Sequence, residues 1–371
     1  MSLVLAAKRV VDGGGERLDA WVRVDDGVIV ETGTGEAPSA DVRAAVLLPG
    51  FVDLHCHGGG GASFTSADPD QIARAAATHR AHGTTTMHAS LVSAYEDDLL
   101  RQVRALIPFV DDGTLRGIHL EGPWISPSYC GAHDPLTLRD PDPVEVARVL
   151  DAGEGRIRMV TLAPELPGAL ESIGMIVDRG AIAAIGHTAA DGPAARAAVD
   201  AGATVATHLF NAMPPLLHRD AGPVGVLLAD DRVTCEVIGD GVHLEPDVVS
   251  LALSASEGRG ALVTDAMSAA GAEDGDYHIG SLDVIVRDGV ARLRDGGSLA
   301  GSTLLMDSAV RRAVRLAGRS LDEASHAASL APARAMGLSD RGLIGVGQRA
   351  DLVALDEDLR VMRVLRGGEW A

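Results

Sequence analysis

The feature of this 371-residue chain that most restricts its fold is an eightfold alternation. Short apolar runs at residues 46–57, 84–92, 116–122, 156–164, 181–187, 203–210, 232–238 and 261–266 are separated by Ala-, Arg- and Leu-rich stretches with helical spacing, such as 69–82, 191–201 and 245–257. Consecutive parallel strands need a crossover of about a dozen residues or more, and the gaps supply it. Strand and helix repeated eight times predict one (β/α)8 barrel of the TIM type, an α/β fold that commonly exceeds ~250 residues as a single unit. Composition agrees: 46% of residues are hydrophobic but only 3% aromatic, so the interior has to be layered from Ala, Val, Leu and Ile.

The two ends of the chain read differently. Residues 17–30 alternate loosely between apolar and polar around Asp26-Gly27, and 345–368 does the same, so both are expected to form short strands joined by turns. They flank the barrel and are expected to pair as one small β domain, with boundaries at 1–47 and 338–371 around a barrel of 48–337. Residues 278–297, with Arg287-Asp288-Gly289 as a turn, read as an insertion after the eighth strand.

A formal charge of −20 excludes nucleic acid and anionic membranes as expected partners, because their phosphates would repel this surface. An anionic small molecule would need local cationic groups. The start of the chain carries no secretion signal, and no run approaches the ~18 apolar residues of a membrane span. Cys56, Cys130 and Cys235 match no disulfide or zinc framework and are expected to be free thiols in the cytoplasm.

Residues with metal-ligand chemistry gather where the predicted strands end: His55 and His57 on the first, Glu121 on the third, His187 on the fifth, His208 on the sixth and Asp265 on the eighth. Barrel enzymes place their active sites on that face. Strand residues two apart project to one side, so His55 and His57 can reach the same ion. Imidazole and carboxylate donors favour zinc foremost, or iron and other first-row divalent ions, over magnesium or calcium. Two ions sharing a barrel mouth need a bridging anion. Related barrels use a carboxylated lysine, but the single lysine here, Lys8, precedes the barrel, which leaves Glu121 as the bridge.

Pro49-Gly50-Phe51-Val52-Asp53-Leu54-His55-Cys56-His57-Gly58 is similar to the signature of the amidohydrolase superfamily. His119-Leu120-Glu121-Gly122-Pro123, Gly131-Ala132-His133, Ile185-Gly186-His187-Thr188, Thr207-His208-Leu209-Phe210-Asn211-Ala212-Met213, Asp240-Gly241-Val242-His243 and Thr264-Asp265-Ala266 together resemble the ordered motifs of the N-acetylglucosamine-6-phosphate deacetylases. The resemblance implies metal-dependent hydrolysis of the N-acetyl group of a phosphorylated amino sugar. It implies that Glu121, His187 and His208 hold a catalytic ion and that His55, His57 and Asp265 can hold a second, giving one or two ions per subunit. Asp265 would transfer the proton and His133 would polarise the carbonyl. Phosphate would be met by the Asn211-Ala212 backbone, His243 and Arg219, the arginine coming from the neighbouring subunit of a homodimer. Ala132 and the Leu299-Ala300-Gly301 stretch would touch the sugar ring.

Other residues are expected to be structural: His79, His82, His88, His278 and His326 on helices or peripheral strands, His119 as a support beside Glu121, and Cys56 packed as a small hydrophobe. Cys130 departs from the family, which often has a longer polar or basic residue there; the Ser126–His133 segment reads as a lid whose thiol is reachable when it opens. Two rival functions remain: an amidohydrolase acting on another N-acyl amine or a cyclic amide, and a non-catalytic binding protein of the same fold.

Overall fold

The computed structural model describes residues 2–37 and 39–371. Eight parallel strands follow one another in sequence order through one sheet: Phe51–Asp53, Thr84–Leu91, Gly117–Glu121, Ile157–Leu162, Ile182–Ile185, Val205–Ala206, Thr234–Ile238 and Gly260–Val263. Each leads into a helix, in order Pro69–Ala81, Glu96–Asp111, Pro143–Ala152, Ala169–Asp178, Gly192–Asp200, Gly222–Ala229, Pro246–Ala255 and Met306–Arg315. Several helix starts are written locally. Asp68 and Asp142 accept from the amides of Asp70 and Val144, and Pro69 and Pro143 occupy a first-turn position where no amide is needed. Helix Glu96–Asp111 buries Leu99, Gln102, Val103 and Leu106, one stripe at helical spacing.

The predicted barrel is present, and the first and eighth strands meet just beyond their ladders. His57 N–H donates to Ala266 O at 2.8 Å and Asp265 N–H to His55 O at 2.9 Å. The buried Asp53 carboxylate ties the same seam, accepting from Thr264 Oγ1 at 2.6 Å and from the Thr264 and His55 amides. The apolar run 46–57, expected as one strand, is divided. Val42–Pro49 belongs to a different sheet, the chain turns at Gly50, and the barrel begins at Phe51. Both pieces are buried, so hydropathy shows no break between them.

That other sheet has seven strands and unites the chain ends, as expected. Leu3–Val11, Glu16–Asp25, Val28–Thr34 and Val42–Pro49 come from the N-terminal side, and Leu352–Leu355, Val361–Arg366 and Glu369–Trp370 from the C-terminal side. Val42–Pro49 joins the halves, pairing parallel with Leu3–Val11 and antiparallel with Leu352–Leu355. The insertion after the eighth strand is a three-stranded antiparallel sheet, Gly275–Ile279, Leu282–Arg287 and Val290–Leu293. It packs Ile279, Val284, Val286 and Ala291 over Val92, Ala132 and Met267, and so lies against the rim of the barrel mouth.

Val353 and Leu355 share a hydrophobic cluster with barrel residues Phe51, Leu54, Val237 and Leu262, so sheet and barrel have a common core. Leu355→Ala should therefore lower the stability of the whole chain by about 2–5 kcal/mol. Circular dichroism should follow one cooperative transition; two separable transitions would show the sheet to be energetically independent.

Candidate active site

The six residues read as metal ligands converge at the C-terminal mouth of the barrel. Glu121 is the last residue of its strand, and the other five lie just past theirs rather than on them. Three turn inward through unusual backbone: His187, His208 and Asp265 have φ of 47°, 29° and 46°. Non-glycine residues rarely adopt this left-handed region, and those that do cluster at sites where the surroundings hold them there.

The buried Glu121 carboxylate is the hub. Its Oε1 lies 2.9 Å from His208 Nε2, 3.1 Å from His187 Nε2 and 3.4 Å from His55 Nε2. Its Oε2 lies 3.2 Å from both His57 Nε2 and His133 Nε2. Asp265 Oδ1 stands 3.3 Å from His57 Nε2 and 3.4 Å from His55 Nε2. Burial alone would push the two carboxylates up and His55 and His57 down. Their mutual charges reverse both tendencies, holding Asp265 at about 2, Glu121 well below its usual range, and the two imidazoles above theirs.

Hydrogen bonds to the far side of each ring show what the near side offers. His57 Nδ1 donates to Ser90 O at 3.1 Å, His187 Nδ1 donates to Tyr129 O at 2.8 Å, and His55 Nδ1 donates to Glu236 Oε2 at 3.1 Å. A neutral imidazole with its proton on Nδ1 presents a bare lone pair at Nε2. The Nε2 atoms of His55 and His57 are 3.0 Å apart, as are those of His187 and His208. Ring nitrogens that close together need a proton or a cation between them, and three Nδ1 atoms already committed outward leave imidazole and carboxylate donors that fit a divalent metal. His133 is the opposite case. The Ser93 amide donates to its Nδ1 at 3.1 Å, which leaves the proton on Nε2, pointing into the site. Burial also lowers its affinity for a second proton, to a pKa of about 4. Distance alone would let His133 join Glu121 and His187 around an ion; its tautomer makes it a hydrogen-bond donor instead.

A cavity of about 400 Å³ opens over the cluster, a volume suited to one small substrate. Ala132, Asn211, Ala212 and His243 line it, along with Tyr129, Ile279, Ser298, Leu299 and Gly301. Ala300 is fully buried among the insertion's apolar side chains, and the wall there is formed by its two neighbours. Burial would lower His243, but the Asp240 carboxylate 2.7 Å from Nδ1 outweighs it, and the ring keeps its positive charge to higher pH than usual. Arg219 is exposed in the loop bounded by the Leu217–Asp220 bridge and does not line this chain's own cavity.

The segment read as a lid is docked onto the site. The Ser126 amide donates to His187 O at 2.8 Å, and Gly131, with φ of 58°, passes so close that a Cβ there would stand 3.0 Å from His187 Cε1. Cys130 is half-exposed, while Cys56 and Cys235 are buried. His119 supports the cluster as expected, bonded at 2.8 Å to both Ser90 Oγ and Thr161 Oγ1. Two contributors were not foreseen. Glu236 is fully buried and orients both His55 and the His208 amide; an acid inside the apolar strand Thr234–Ile238 was its only signal. Ser93, which sets the His133 tautomer, lies 40 residues from it and left no trace in the sequence.

A (β/α)8 barrel with imidazole lone pairs and carboxylates converging at its mouth defines a class of metal-dependent hydrolases, and residues 46–371 match the amidohydrolase family: the chain belongs to it. Within that family it is similar to N-acetylhexosamine-6-phosphate deacetylases. The crystal structure of N-acetyl-D-glucosamine-6-phosphate deacetylase from Mycobacterium smegmatis is 48% identical with a TM-score of 0.96, covering 100% of both chains. The Bacillus subtilis N-acetylglucosamine-6-phosphate deacetylase is 34% identical over 95% of this chain and 93% of its own. The N-acetylgalactosamine-6-phosphate deacetylase of Escherichia coli O157:H7 is 36% identical over 100% of both.

The opposed tautomers predict opposite outcomes for two neighbouring histidines. Elemental analysis of His187→Ala should show at least one equivalent of metal lost per chain, because a lone-pair donor is removed. His133→Ala should retain the wild-type content while acetate release falls. Metal loss in His133→Ala would overturn its reading as a donor.

Proposed function

We propose that the chain is a metal-dependent deacetylase that hydrolyses the N-acetyl group of N-acetylglucosamine 6-phosphate, releasing acetate and glucosamine 6-phosphate in amino-sugar breakdown. The observation that carries this reading is the meeting, in one cavity, of the inward-facing Nε2 atoms of His57 and His187, whose Nδ1 protons are committed outward, with the proton-bearing Nε2 of His133 and the ionised Asp265. His55, His57, Glu121, His187, His208 and Asp265 hold one or two ions per subunit, zinc foremost. Glu121 suits the bridging role because its two oxygens face different histidines. When bound, the metal lowers the pKa of water toward neutrality and so supplies a nucleophile at pH 7.

The chain's own groups do the rest. Asp265 accepts the proton as the water oxygen bonds to the acetyl carbon. His133 Nε2–H donates to the carbonyl oxygen as its charge develops. The C–N bond then breaks as Asp265 passes the proton to the departing nitrogen, freeing the amine and acetate. Ala132 and the wall around Ala300 flank the sugar. The phosphate is met by the Asn211 and Ala212 backbone and by His243, whose raised pKa supplies local positive charge on an acidic protein.

Arg219 completes the phosphate site of a second subunit. The loop carrying it also exposes Leu216 and Leu217, apolar surface that a homodimer would cover. Free thiols and the absence, among the described residues, of a helix long and apolar enough to cross a membrane support a cytoplasmic enzyme. The assignment of residues 1–47 and 338–371 to the β domain and 48–337 to the barrel belongs to the same proposal. The full-length similarity to an N-acetylgalactosamine-6-phosphate deacetylase favours a second reading, the galacto epimer. Acetate release from each epimer, and from unphosphorylated N-acetylglucosamine, tests the substrate directly.

Asp265→Asn should fold normally and lose about 10²–10⁴-fold in acetate release, because an amide cannot accept the proton; near-native turnover would remove Asp265 from the chemistry. Arg219→Ala should raise KM for the phosphorylated sugar by about tenfold or more while leaving the unphosphorylated sugar unchanged. Equal effects on both sugars would count against a phosphate contact.

A further inference from the structure

The opposite face of the barrel, at the N-terminal ends of the strands, carries more arginines than acids to pair them. Arg116 immediately precedes the third barrel strand, and Arg158 is the second residue of the fourth. Between them Gly117 makes room. A Cβ at that position would stand 2.4 Å from Arg158 Cγ and 3.3 Å from His88 Cδ2, so only glycine lets the Arg158 stem lie across the strand end against His88. Neither guanidinium has an ion pair or hydrogen bond among the described residues. Arg366 donates only to neutral acceptors, the carbonyls of Thr85, at 2.9 Å, and Gly113. Arg341, although paired with Asp340, turns Nη1 to Thr86 Oγ1 at 2.9 Å.

These groups enclose space. Arg116, Arg341, Arg349 and Arg366 line a cavity of about 460 Å³ together with the Asp340 carboxylate and the hydroxyls of Thr86 and Ser339. Arg116 and Arg158 line a second of about 290 Å³ that also has His88 and Gly337 in its wall, and the two cavities share Arg116 and Gly337. Burial and neighbouring arginines lower the proton affinity of Arg116 and Arg366 below the usual range. Burial, with Arg116 and Arg158 beside it, pushes His88 down to about 3, and its neutral ring has a buried Nδ1 with no partner.

Arg116, Arg158, Arg341, Arg349 and Arg366 outnumber the carboxylates of Asp340 and Asp351 beside them, and such a positive excess on a protein of net charge −20 is electrostatically incomplete. We propose that these two adjoining basal cavities form a second ligand site that binds a phosphate group, free or as the monoester of a small molecule, at their shared Arg116, with Arg158 on one side and Arg366 on the other. Guanidinium forks match phosphate oxygens two at a time, and the hydroxyls of Thr86 and Ser339 add short polar contacts. The cleft is concave and of single-ligand size, whereas the acidic remainder of the surface would repel a nucleic acid or an anionic bilayer. The site lies at the other end of the barrel from the metal cluster and does not depend on the reaction proposed there.

Calorimetric titration of the metal-loaded, full-length enzyme with inorganic phosphate tests the proposal. Wild type should take up one more phosphate per chain than Arg116→Gln/Arg158→Gln. Phosphate should also raise the melting temperature of wild type more than that of the variant. In phosphate-free buffer the variant should melt no lower than wild type, because a repulsion has been removed; guanidiniums with a purely structural role would instead leave it less stable. Acetate release at low phosphate should stay within about twofold of wild type, since no residue of the reacting site is altered. The exposed Arg158→Ala alone keeps the test open if the double variant does not fold, with an affinity about tenfold weaker expected. Repeating the titration with glucose 6-phosphate separates a monoester from free phosphate as the preferred form. Equal stoichiometry and an equal phosphate-dependent rise in melting temperature for wild type and variants would overturn the proposal.

Discussion

The structure is organised around one buried carboxylate. Glu121 lies within 3.4 Å of the Nε2 atoms of five histidines, drawn from three different strand ends and one loop. Removing so many polar groups from water costs several kcal/mol per charge unless each finds a partner in good geometry. Much of the surrounding architecture supplies that geometry. Ser90, Tyr129 and Glu236 hold imidazole protons away from the centre, and Ser93 holds one proton toward it. The left-handed backbone at His187, His208 and Asp265 is accepted in the same cause, because a continuing strand would carry these side chains past the point of convergence.

The division of labour between scaffold and loops follows from this. The barrel strands are short; the sixth is only Val205–Ala206. What they provide is a ring of fixed starting points held by a core of aliphatic side chains. The long connections after the third, sixth and eighth strands then build the cavity. They deliver His133, the Asn211-Ala212 turn and the insertion sheet whose apolar face backs Ala132. Each connection is anchored to a metal-site residue or to its neighbour, as when the Ser126 amide bonds to His187 O and Asp265 N–H to His55 O. Cavity loops and the buried cluster of histidines and carboxylates therefore constrain one another, which is how a loop can be placed as firmly as a strand.

Charge is distributed with the same economy. On a chain of −20, positive groups matter where they stand, and nearly all of them are arginine or histidine. Many arginines are paired with acids at the surface, where each pair contributes little. His243, although paired with Asp240, brings its charge to the cavity wall, and Arg116 and Arg158 at the barrel base have no paired acid among the described residues. An unpaired cation on an acidic protein is more informative than a paired one because the excess of acids makes partners easy to find.

The sequence by itself determined the class of fold and the identity of the central residues. Hydrophobic spacing and crossover length require alternating strands and helices, and six acid or imidazole residues at strand ends are legible because a barrel brings those ends to one face. It also showed the pairing of the chain termini and the insertion after the eighth strand. It did not show where 46–57 divides between two sheets, because both halves are buried and hydropathy is blind to direction. Nor did it show which nitrogen of each histidine faces inward. That choice rests on partners far away in the chain, 181 residues for His55 with Glu236 and 40 for His133 with Ser93, and only tertiary folding brings such partners within reach of one proton.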